Sequence, residues 1–113
     1  PWAYSFEDLG AFYLNYHRLM AHWRKLLPGQ FYDLQYENLV RDQQGETKKL
    51  LEFCGLDWHE GCLSFYDNRR PVNTASSIQV RKPITTASVG LWKKYAEQLQ
   101  PLEAMLRPLA NDA

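Results

Sequence analysis

The chain has 113 residues, 45% of them hydrophobic, with four Trp, seven Tyr and five Phe, and its thirteen cations balance thirteen acids to a formal net charge of zero. That length holds one small domain or part of a larger one, the apolar content excludes a disordered segment, and the neutral total excludes a long-range field drawing the whole molecule to nucleic acid or an anionic membrane. No run of ~18 apolar residues that could cross a bilayer is present.

Ser5 with Asp8 three residues later resembles a capping box, and Leu9, Phe12, Tyr13, Tyr16, Met20, Trp23 and Leu27 then recur at helical spacing. The pattern predicts a long amphipathic helix that ends near Leu27, with Lys25 in its last turn and Pro28-Gly29 beyond it. Phe31 to Tyr36 is aromatic-rich and alternating, which predicts one strand. A second helix is expected around Glu46 to Cys54, grouping Leu50, Leu51 and Cys54 and stopping at Gly55. Asp57 is read as the cap of a short helix through Leu63 and Tyr66.

Residues 67–87 follow, rich in Ser, Thr, Asn and Pro and without sustained periodicity; structureless loops of that length are usually functional or disordered. Ser88 is read as the cap of a helix using Val89, Trp92, Tyr95 and Leu99, and Pro101 as the start of another with Leu102, Met105, Leu106 and Leu109. Helix, strand, helix is the order of an α/β unit, mostly helical and with few strands of its own. Since one strand cannot make a sheet, the chain either borrows strands from a missing amino-terminal region, the favoured reading, or contains pairings that the pattern does not show.

Charge is distributed unevenly. Arg69, Arg70, Arg81, Lys82, Lys93 and Lys94 fall between Asn68 and Lys94 with no Asp or Glu among them, leaving seven cations against all thirteen acids in the remainder. Thr74 to Lys94 reads TASSIQVRKPITTASVGLWKK, which concentrates hydroxyls, cations and a helix start. Those are the parts of an anion site. Hydroxyls of Thr74, Ser76, Ser77, Thr85 and Thr86 donate without adding charge, Arg81 and Lys82 offer charge-assisted bonds to phosphate oxygens, and amides after Ser88 would present the positive end of a helix dipole.

This run, together with Tyr36-Glu37-Asn38-Leu39, Phe53-Cys54-Gly55, Ser76-Ser77, Gln79-Val80-Arg81-Lys82-Pro83 and Trp92, resembles the carboxyl-terminal part of sulfotransferases that use 3′-phosphoadenosine-5′-phosphosulfate (PAPS). The likeness is to the bacterial tetratricopeptide-linked group and the related tyrosylprotein enzymes, and it covers nearly the whole chain. It implies that residues 1–113 are part of a P-loop-type nucleotide-binding domain from which the phosphate loop is absent. The missing amino-terminal part of that domain would be the chain's first partner, and the segment alone would be inactive.

The resemblance further implies that Tyr36 contacts the adenosine side and that Ser76, beside Ser77, lies near the bridging oxygen of the transferring sulfuryl group, as a catalytic donor. Gln79, Val80, Arg81, Lys82, Pro83, Ile84 and Thr85 would wrap the nucleotide, with Arg81 or Lys82 facing a phosphate. The tyrosylprotein relatives carry a lysine directly before the Trp, where this chain has Leu91, and Lys93 is the candidate replacement.

Two readings from other classes stand beside this one: a small nucleic-acid-binding module using the six cations, against which the neutral total charge counts, and an interaction fragment whose apolar faces dock on a partner domain or a second copy. No metal site is expected, since His17 and His22 fall on different helix faces and Cys54, His59 and Cys62 are too few for zinc. Cys54 and Cys62 are expected as reduced thiols in a cytoplasmic protein. Because the chain opens at Pro1 rather than methionine, it reads as a piece of a longer polypeptide whose upstream targeting signals stay open.

Overall fold

Ser5 sits in an extended conformation and its hydroxyl accepts the Asp8 amide at 3.0 Å, so the first helix starts where its cap residue requires. The computed structural model describes residues 4–110. Four α-helices run in chain order: α1 (Phe6–Leu26), α2 (Tyr36–Arg41), α3 (Gln43–Phe53) and α4 (Gln100–Ala110). Short 3₁₀ segments occupy Glu60–Cys62, Phe65–Asp67, Gln79–Arg81 and Leu91–Tyr95. None of the helices is long and apolar enough to cross a membrane among the described residues.

The chain divides into two compact units, one of residues 1–31 with 90–113 and one of residues 32–89. In the first, α1 packs against α4. Gly10 is buried, the sole such residue among those described, and a Cβ added there would lie 2.8 Å from Met105 Cε and 3.3 Å from Leu102 Cδ1. The missing side chain is what lets the helices approach. Leu14 and His17, at helical spacing from Gly10, are half-buried. Of the stripe that the periodicity marks, Leu9 and Met20 are half-buried while Phe12, Tyr13, Tyr16 and Trp23 are exposed, so the contact with α4 lies to one side of that stripe.

In the second unit Asp42 ends α2 and caps α3, its carboxylate accepting the Gly45 amide at 3.0 Å. Helix α3 ends as expected, with Cys54 at the cap and Gly55 at φ +68, a left-handed conformation that costs glycine nothing. Lys49 donates to the Glu46 carboxylate at 2.8 Å on the same helix, and that bond holds its ammonium above the ordinary lysine range. Tyr32 packs on Phe53 with ring centroids 5.2 Å apart, and the Lys48 ammonium lies 5.0 Å over the Trp58 ring.

Three expectations need correcting. Residues 31–35 carry no regular structure and Tyr36 opens a helix; no strand exists among the described residues, because an alternating segment without a partner ladder has nothing to pair with. Asp57 does not cap the segment after it. His59 does, its Nδ1 accepting the Gly61 amide at 2.9 Å, and the segment is a pair of 3₁₀ turns. The helix expected from Ser88 is the 3₁₀ run Leu91–Tyr95, entered through Gly90 at φ +69 with no side-chain cap.

No hydrophobic side chain among the described residues is buried. The molecule is mostly helical, as the sequence predicts, but its apolar faces are half-covered at best.

Candidate functional site

The basic loop begins at the 3₁₀ turn Phe65–Asp67. Asn68 follows, its side-chain oxygen accepting the Arg70 amide at 2.9 Å in an Asx-type turn. Eleven residues later the Arg81 guanidinium donates to the Arg70 carbonyl, so the same peptide segment is held from both sides. Between these points the chain is a succession of turns: the Ser77 amide donates to Thr74 O at 3.0 Å, the Val80 amide to Ser76 O at 3.0 Å, and the Lys82 amide to Gln79 O at 3.1 Å.

Those bonds use backbone groups and spend no side chain. Among the described residues the hydroxyls of Thr74, Ser76 and Ser77 and the Lys82 ammonium take part in no intramolecular hydrogen bond or ion pair. Ser76, Gln79, Arg81, Lys82, Pro83 and Thr85 are exposed, whereas Ser77, Val80 and Ile84 are half-buried. Thr85 accepts the Ala87 amide through its hydroxyl at 3.1 Å, which fixes the exit of the loop.

Two hollows open on this loop, and Arg81 lines both. One, of about 190 Å³, is formed by Phe65, Asn68, Arg70, Val72, Val80 and Arg81. The wider one is formed by Tyr66, Asp67, Asn68, Arg69 and Arg81. Each hollow is lined by two arginines, Arg70 and Arg81 in the first and Arg69 and Arg81 beside Asp67 in the second, which favours an anion, though charges this open to water are strongly screened until another surface covers them. Phe65, Tyr66 and Asn68 were not expected at the site. Arg69 and Arg70 stood out as cations, but only the turn at Asn68 brings them back toward Arg81.

Tyr36 is the first residue of α2 and 47% exposed, and no hydrogen bond or ring contact joins it to the loop among the described residues. Lys93 belongs to the other unit, on the Leu91–Tyr95 run. The free amides expected after Ser88 do not form a helix start: the Val89 amide donates to Thr86 O, and the following 3₁₀ run is five residues long. No cluster of three or more potential metal ligands occurs among the described residues.

Chemically the loop can hold an anion and donate hydrogen bonds to it. Among its residues there is no paired nucleophile and base.

A family model described as the sulfotransferase family matches residues 1–60, the stretch carrying α1, α2 and α3, and ends before the basic loop. A protein of Aquifex aeolicus (strain VF5), named as uncharacterized, is 45% identical over 95 residues, which cover 83% of this chain. The chain spans about 12% of the length of that relative. No solved structure matches.

Proposed function

The chain belongs to the sulfotransferase family, and from that premise we propose that it supplies one wall of the site where PAPS hands its sulfuryl group to an acceptor hydroxyl. The observation that carries this reading is the loop of residues 74–85, whose turns consume backbone groups and leave hydroxyls and the Lys82 ammonium free to face a ligand.

In the transfer the acceptor oxygen forms a bond to sulfur while the bond from sulfur to the bridging oxygen breaks. Its electron pair stays on the 5′-phosphate, and the acceptor proton leaves to a base elsewhere in the complete domain. Catalysis of such a step rests on positioning and on stabilising charge that develops at the leaving oxygen. Ser76 is the proposed donor to that oxygen, and Arg81 or Lys82 the proposed contact to a nucleotide phosphate, with Gln79 to Thr85 folded round the adenosine. Tyr36 is proposed on the adenosine side, and Lys93 keeps only the role that the resemblance implies for the lysine absent at Leu91. The remaining walls, including the phosphate loop, come from the rest of the polypeptide, and residues 1–113 alone are expected to turn over nothing.

The test is a pair of variants in the full gene product. Ser76→Ala should lower turnover on the order of 100-fold with little change in nucleotide affinity, as for loss of one transition-state donor. Arg81→Ala with Lys82→Ala should weaken binding of 3′,5′-adenosine bisphosphate. Equal loss in turnover and affinity for Ser76→Ala refutes its role, and undiminished binding by the double variant refutes the phosphate contact. Binding of polynucleotide in preference to the mononucleotide, falling steeply with salt, would instead favour a nucleic-acid module.

A further inference from the structure

Arg81 and Lys82 are adjacent cations, yet the fold treats them differently. Among the described residues the Lys82 ammonium has no intramolecular partner, while the Arg81 guanidinium donates to the Arg70 carbonyl. The Arg70 peptide is itself restrained, because its amide donates to the Asn68 side chain at 2.9 Å. The 3₁₀ turns Phe65–Asp67 and Gln79–Arg81 also pack on each other. The two ends of the segment from Asn68 to Arg81 are therefore drawn together, with Thr74, Ser76 and Ser77 on the turns between.

From this we propose that Arg81 is a positioning residue: its bond to the Arg70 carbonyl, backed by Asn68, closes the loop that presents Ser76 and leaves Lys82 as the cation for the nucleotide phosphate. The physical case is one of entropy. A segment rich in Ser, Thr and Asn has little apolar surface to fix it, since Val72, Ser77 and Val80 are its half-buried points. Tying its ends removes much of its freedom, and a planar guanidinium with several donors suits a backbone carbonyl at a turn. Ser76 is held by this closure only through backbone, the Val80 amide donating to its carbonyl, so its hydroxyl stays available.

The inference rests on the nucleotide reading for its purpose, but its structural half stands alone and is tested without ligand. Amide hydrogen exchange in the full gene product should show the Ser77 and Val80 amides exchanging roughly two- to tenfold faster in Arg81→Ala, the range expected for one lost hydrogen bond. Asn68→Ala should act in the same direction and Lys82→Ala should leave exchange unchanged. Unaltered exchange in both Arg81→Ala and Asn68→Ala overturns the clasp.

With 3′,5′-adenosine bisphosphate as the probe, Arg81→Ala should weaken binding by a factor that stays constant as salt is raised, whereas the factor for Lys82→Ala should shrink, as screening of a direct ion contact demands. A salt-dependent factor for Arg81→Ala would place its charge on the phosphate and overturn the positioning role. Failure of the unaltered protein to bind the probe would strike the nucleotide reading, and the exchange result would still decide the clasp.

Discussion

Ser5 shows how much one side chain can fix. Its hydroxyl satisfies the Asp8 amide, and Glu7 and Asp8 place negative charge in the first turn, where the helix dipole favours it. Ser5→Ala should cost α1 about 1 kcal/mol, read as a lowered melting midpoint, with Ser5→Asp retaining most of the stability. Ser76 and Lys82 invert this economy: their value lies in side chains that the fold leaves unbonded. The sequence made both kinds legible, the cap because its partner lies three residues away, the loop because hydroxyls and cations crowd a stretch without acids. It could not separate Arg81 from Lys82, because the acceptor that distinguishes them is a carbonyl eleven residues distant. Arg69 and Arg70 stood out as cations without their approach to Arg81, which is equally long-range, whereas Asn68 acts through the Arg70 amide only two residues away.

Among the elements, local signals determined most outcomes. Helices α1, α3 and α4 lie close to where caps, glycine and proline put them. The strand expected at Phe31 to Tyr36 failed because strand formation is a property of pairs, and alternation alone cannot supply the second member. The helix expected after Ser88 shortened to a 3₁₀ run because Gly90 takes a left-handed conformation at its entrance. Periodicity found α1 but only the edge of its inner side, since Leu9 and Met20 of the marked stripe are half-buried while α4 packs over Gly10 beside it. That contact makes its own prediction. Gly10→Leu should gain helix propensity yet destabilise the α1–α4 pair by about 1–3 kcal/mol through overpacking against Met105 and Leu102. Adding Met105→Ala should recover much of the loss, and strictly additive melting shifts would show that the two side chains do not meet.

At the scale of the whole molecule, the governing fact is that no hydrophobic side chain among the described residues is buried. Hydrocarbon removed from water is the main source of folding stability, so these 113 residues by themselves can draw little on it. Unfolding them should release correspondingly little: the denaturant slope and the heat-capacity step should fall well below the ~12–15 cal/mol/K per residue of ordinary globular proteins. A slope of normal size from calorimetry or urea titration would show apolar packing beyond that described, by self-association or otherwise. Such a shortfall accords with a chain spanning about 12% of its Aquifex relative. It also gives the segment an optical gauge. Trp23 and Trp92, 40% and 56% exposed, stand on the uncovered faces of α1 and of the Leu91–Tyr95 run. Their indole emission is red-shifted by water, and any surface that seals those faces turns it bluer, so docking can be followed by light alone.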